Sequence, residues 1–166
     1  MSRNSLDVVN VRLVKGKPLC SEKMIATPTD AVSVVAEEIA EYDREVFCII
    51  NINSAGQPVN LNIVSMGGLC SASIQMREVF KASILSNAAA VIAVHNHPSG
   101  NLTPSKDDKL TTERLTRCGD LLGIPVLDSI ICGARNSGFM SFAEVGIMEQ
   151  IRSKIQNEKG EERGER

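Results

Sequence analysis

The stretch Ala89-Ala90-Val91-Ile92-Ala93-Val94-His95-Asn96-His97-Pro98 decides how the chain is read. Its apolar residues run without a polar interruption, the pattern of a strand buried on both faces, and the strand is expected over Ala89–His95. Two histidines stand two apart at its end, and Pro98-Ser99-Gly100 then turns the chain out of the sheet. Side chains two apart on a strand share a face, so His95 and His97 point the same way. They are the only two histidines of the chain.

Downstream, Ser105-Lys106-Asp107-Asp108 opens a helix expected over Ser105–Leu122. Asp108, in the first helical turn, can return to the point where the histidines end. Each piece has a plain reading of its own. A His-x-His pair can be a polar strand edge, and Ser105-x-x-Asp108 is a capping box. Together, within fourteen residues, the two imidazoles and the carboxylate form a His₂Asp set that leaves one position for water. Three protein ligands plus water is the pattern of catalytic zinc. A zinc deaminase is excluded, because it needs a Glu two residues after a ligand and a Pro-Cys-x-x-Cys pair; here His97 occupies the first position and no cysteines are paired. An HNH nuclease is excluded too, since its histidines are well separated in sequence.

Working outward, Val46–Ile52 is apolar almost throughout and reads as a second central strand. After the turn Ser54–Gln57, Val59, Leu61 and Ile63 alternate with Asn60 and Asn62, so the two segments form a hairpin. Upstream, Thr27-Pro28-Thr29-Asp30 starts a helix that continues through Val32, Val35, Ile39 and Tyr42, and Asp7–Lys15 alternates as a half-buried strand. Gly67-Gly68 breaks the chain before a helix over Ile74–Asn87. Beyond the third helix come strands over Pro125–Cys132 and Phe139–Phe142, then a last helix from near Ala143. From Asn157 the tail has no apolar residue and is expected to be disordered. The order β-α-β-β-α-β-α-β-β-α makes the fold α/β or α+β around one mixed sheet.

The 166 residues suit one domain, and 43% apolar with 23% charged residues is ordinary for a globular chain. With 18 basic against 20 acidic residues, coating of DNA is excluded as the main task. One Tyr, four Phe and no Trp exclude a base-stacking surface for single strands. The longest apolar run, Ala88–Val94, is too short for a membrane span, and Asp7, Asn10 and Arg12 interrupt the N-terminus, so no export signal is read and the protein is expected in the cytoplasm. Five cysteines, Cys20, Cys48, Cys70, Cys118 and Cys132, none close enough to another for a CxxC pair, fit small buried groups in a reducing compartment.

At HNHPSGNLTPSKDD the sequence resembles the JAMM/MPN metalloprotease family, whose zinc motif is His-x-His-Pro-x₆-Ser-x₂-Asp preceded by a Glu on an earlier strand. More narrowly it resembles the RadC branch, through Arg77–Gly100, Pro104–Leu115, Val126–Gly133 and Ser141–Gly146. The resemblance implies a JAB/MPN-type curved mixed β-sheet flanked by helices, similar to cytidine deaminases. It divides the chain into an N-terminal strand and extension (1–21), a RadC-like JAB/MPN domain (22–146), and a helix end with a charged tail (147–166). It also implies that the N-terminal helix-hairpin-helix segment of full-length RadC proteins is missing, which weakens any direct DNA role. Gln75-Met76 stand where the family usually has His-Pro.

The resemblance implies that His95, His97 and Asp108 hold Zn²⁺, that Glu45 is the general base, and that Ser105 supports the oxyanion. Glu78, flanked by Arg77 and Lys81, is the rival base, with a surface charge pair as its plainer role. Asn96 points away from the metal and holds the loop. The implied activity is zinc-dependent hydrolysis of a peptide or isopeptide bond in an unknown protein or peptide substrate. The alternative is a non-catalytic metal-binding or regulatory module in DNA metabolism, with nucleic-acid binding weak or indirect. No membrane partner is expected.

Overall fold

The structure, a computed structural model, describes residues 12–14, 16, 24–39, 42–67, 74–134 and 138–164. In chain order the elements are α1 (Pro28–Ile39), β1 (Val46–Ile52), β2 (Pro58–Met66), α2 (Met76–Leu85), β3 (Ala90–His97), α3 (Lys106–Leu122), β4 (Val126–Gly133), β5 (Phe139–Ser141) and α4 (Ile147–Gly164). This is the expected order; the strand read over Asp7–Lys15 falls for the most part outside the described residues.

The strands form one mixed sheet in the order β2-β1-β3-β4-β5. Only β3 and β4 run parallel; the other neighbours are antiparallel. Strands β1 and β3 are apolar on both faces because helices cover both faces. On one face Val46, Cys48, Ile50, Ile92, Val94 and Ile130 pack under Ala31, Val35 and Ile39 of α1. On the other, Phe47, Ile49, Val91, Ala93 and Ile131 pack against Val79 and Phe80 of α2, Leu115 of α3 and Met148 of α4. The odd-numbered residues of β3 belong to this second face, so His95 and His97 project on the α3 side.

Helix α1 begins as expected: Thr27 N–H donates to Asp30 Oδ2 at 2.8 Å, and Asp30 N–H donates to Thr27 Oγ1 at 3.2 Å. Helix α3 ends at Gly123, with φ of 68°. Within α3, Gly119 is needed for close approach, since a Cβ there would stand 2.5 Å from the Ile124 carbonyl oxygen.

Two expectations at the C-terminus are corrected. The last helix starts at Ile147, not near Ala143, because residues 142–146 form turns that end at Gly146 with φ of 77°. It then continues to Gly164, through the segment expected to be disordered. Cross-helix charge pairs are the physical reason. Glu113 of α3 takes Lys154 at 2.8 Å, Arg117 pairs with Glu158, and Lys159 reaches Asp120 at 3.4 Å. The tail continues a helix anchored by buried Met148, Ile151 and Ile155, and the pairs of Glu158 and Lys159 carry the contact with α3 past them.

Candidate metal centre

His95 is buried, His97 partly buried, and both stand at the C-terminal end of β3 beside the first turn of α3. Their Nε2 atoms are 3.1 Å apart. His95 Nε2 is 3.3 Å from Asp108 Oδ1, and His97 Nε2 is 3.8 Å from Asp108 Oδ2. One ligand atom from each of the three residues lies within 4.8 Å of the others, so this group could hold a metal ion. Atoms about 2.0–2.1 Å from one ion at tetrahedral angles stand about 3.3–3.4 Å apart, close to the Nε2–Nε2 and the His95 Nε2–Asp108 Oδ1 separations. The donor set therefore fits a small divalent cation.

The supporting bonds fit too. His97 Nδ1 is 2.6 Å from the Asn101 carbonyl oxygen. A carbonyl only accepts, so Nδ1 carries the proton and Nε2 presents its lone pair to the cluster. His95 stacks on Phe47 of β1, with ring centroids 6.2 Å apart.

Asp108 combines two tasks. Its Oδ2 accepts from Ser105 N–H at 2.6 Å, and its own N–H donates to Ser105 Oγ at 3.1 Å, which completes the capping box. Its Oδ1 faces His95. Burial raises the tendency of this carboxyl to hold a proton, but hydrogen bonds from His95 and Ser105 outweigh it and keep Asp108 well below the usual carboxylate range. The capping and ligand readings of Asp108 are thus compatible, one for each oxygen. Ser105 is solvent-exposed; its Oγ accepts in the cap and still has its own proton to donate.

Glu45 is half-buried, just before β1, and is not part of the three-residue cluster. Phe47 lies opposite His95 in the β1–β3 ladder, and Glu45 stands two residues before it. Its backbone is held from both sides by Asn96. Asn96 Oδ1 accepts from Val46 N–H at 2.6 Å and its Nδ2–H donates to the Arg44 carbonyl at 3.0 Å. The loop-holding role read for Asn96 is what these bonds do. Glu78, by contrast, is exposed on α2 and bonded to Lys81 at 2.5 Å, which lowers its pKa.

Sequence reasoning missed the layer behind the cluster. Thr112 and Ser129 are buried next to the site and bonded to each other at 3.0 Å. Asp128 is buried and accepts from Ser129 N–H at 2.7 Å, Ser141 Oγ at 2.6 Å and Ala143 N–H at 2.9 Å, tying the turn before α4 to the sheet. Its signal was visible as the one charge in Val126–Cys132.

Comparison with known proteins follows this geometry. A family model described as "RadC-like JAB domain" matches residues 25–147. Among similar curated proteins, the UPF0758 protein of Moorella thermoacetica is 42% identical over 128 residues, which are 77% of this chain and 55% of that protein. That of Staphylococcus carnosus is 40% identical over 125 residues, 75% and 54% respectively. That of Desulforamulus reducens is 37% identical over 137 residues, 82% and 60%. The chain thus matches between half and two thirds of the length of these relatives.

Proposed function

The chain belongs to the RadC-like JAB domain family, and from that premise we propose that it is a zinc metallohydrolase cutting a peptide or isopeptide bond. The observation that carries the reading is the convergence of His95 Nε2, His97 Nε2 and Asp108 beside a tautomer fixed at His97. Zinc, when bound, supplies a Lewis acid and acidifies water to a pKa of about 7.

The chain's own groups account for the rest. Glu45 accepts the proton of the attacking water and returns it to the leaving nitrogen. The Asn96 clamp on the backbone at 44 and 46 limits how far this carboxylate can wander. Ser105 donates its free hydroxyl proton to the developing oxyanion while its lone pair continues to cap α3. The substrate is a protein or peptide, and direct nucleic-acid binding is weak; the balance of 18 basic and 20 acidic residues supports the latter. Among the described residues no helix is long and apolar enough to cross a membrane.

Glu45→Gln tests the reading. The amide is isosteric and cannot take the proton, so zinc content and fold should survive while cleavage of a peptide or isopeptide substrate falls about 10²–10⁴-fold. Loss of zinc from this variant would make Glu45 a ligand, and retention of full activity would put the base elsewhere.

A further inference from the structure

His95 has an unmet need. Its Nδ1 is buried and finds no hydrogen-bond partner among the described residues. Yet if Nε2 is to offer a lone pair to a metal, Nδ1 must carry the ring proton, and a buried N–H without an acceptor is costly. A cavity of about 10 Å³ adjoins this ring, walled by Phe47, Ile74, Thr111, Thr112 and Ser129 besides the Asp107–Asp108 turn. Nε2 already faces His97 and Asp108, so Nδ1 is the ring nitrogen left for a guest of this cavity. Its volume is about that of one water probe, and its hydroxyl walls are polar.

Proton accounting gives the cavity a direction. Thr112 Oγ1 lies 2.8 Å from the Asp108 carbonyl oxygen and 3.0 Å from Ser129 Oγ. A hydroxyl has one proton, and the carbonyl can only accept, so Thr112 donates to Asp108. The Thr112–Ser129 bond must then use the Ser129 proton, which leaves the lone pairs of Ser129 Oγ free as acceptors.

We propose that the cavity holds one buried water that accepts from His95 Nδ1–H and donates to Ser129 Oγ. The relay then runs from His95 through water, Ser129 and Thr112 to the Asp108 carbonyl. It joins two of the three candidate ligands and, when Nε2 is given to a metal, holds the His95 ring proton on Nδ1. Ser129 and Thr112 are positioning residues. The tautomer and the effect on zinc rest on the metal reading above; the water does not.

Three measurements on the full chain test this. A high-resolution crystal structure should show a water within hydrogen-bonding distance of both His95 Nδ1 and Ser129 Oγ. Long-range ¹H–¹⁵N NMR of the zinc-loaded protein should find a protected proton on His95 Nδ1 whose exchange with solvent quickens in Ser129→Ala. Zinc affinity, by chelator competition, should fall about 10–100-fold in Ser129→Ala and Thr112→Val and be restored in Thr112→Ser. A dry cavity would overturn the relay, as would unchanged proton exchange and unchanged zinc affinity in Ser129→Ala. If the wild type bound no zinc, the metal reading would fall, while the crystal result would still decide the water.

Discussion

Replacing Asp108 by Asn separates the two tasks of one carboxylate. Without metal, the residue caps α3 through Oδ2, which takes Ser105 N–H at 2.6 Å, and an Asn side-chain oxygen can occupy the same place. The metal-free variant should therefore lie within about 1 kcal/mol of wild type, whereas Asp108→Ala, which removes the cap, should lose about 1–2 kcal/mol. With zinc the ranking changes. At a free zinc concentration of about 100 Kd, binding stabilises wild type by about 2.7 kcal/mol. At about 2–4 °C per kcal/mol for a domain of this size, that is a rise in Tm of about 5–11 °C. If the neutral amide weakens zinc about 100-fold, the same concentration equals Kd, and the gain drops to about 0.4 kcal/mol, or 1–2 °C. Differential scanning fluorimetry with and without zinc reads all three proteins. A zinc-induced shift in Asp108→Asn equal to that of wild type would refute the ligand role and leave Asp108 as a cap alone.

Gly119→Ala should destabilise the fold by about 1–3 kcal/mol in urea unfolding, because the new Cβ would stand 2.5 Å from the Ile124 carbonyl oxygen; an unchanged midpoint would show that α3 can shift away from β4. Glu113 is held below its ordinary pKa by hydrogen bonds from Lys154 and Arg117. Its stabilising effect is therefore present above the unfolded carboxyl pKa of about 4.3 and is lost as pH falls through the lower folded value. Glu113→Gln should accordingly melt lower than wild type at pH 7, with the difference closing in acid; a constant difference down to pH 2 would refute the pairing. Affinity for duplex DNA should be weak and fall with salt, since Lys106 and Lys109 stand beside Asp107 and Asp108, and tight binding at 0.15 M salt in a fluorescence-anisotropy titration would support the regulatory alternative.

Much of the fold was legible because its signals are local. Val46–Ile52 forms β1 with the expected bounds, since an apolar run of that length between polar neighbours has few other uses. Ser105 marks the start of α3 because a capping box lies within four residues. What escaped depends on partners distant in sequence. Nothing between Asn157 and Gly164 reveals that Glu158 and Lys159 will meet Arg117 and Asp120, so a segment without apolar residues read as disorder. Helix α2 ends at Leu85, not Asn87, where Ser86 and Asn87 turn back on Ala82 and Ile84. At the site, the three clustered residues declared themselves by residue type and spacing. Thr112 and Ser129 did not, because a buried hydroxyl on a helix and one on a strand look like any others until the sheet brings them within 3.0 Å.

The division of labour at Asp108 explains how a plain helix start and a candidate metal centre can share one motif. A helix N-terminus leaves N–H groups that need an acceptor and carries partial positive charge, and both favour a carboxylate there. Binding Oδ2 to Ser105 N–H orients the group and keeps it ionised, so Oδ1 meets His95 without having to find its rotamer. Strand β3 does the same for the imidazoles by putting both on one face, with the Asn101 carbonyl holding His97. Thus each of the three residues is positioned by a bond made at an atom other than the one it offers to a metal, if the water relay supplies that bond for His95. Sequence spacing carries the motif because these positioning bonds are made by local structure: two residues on a strand, a turn after proline, and the first turn of a helix.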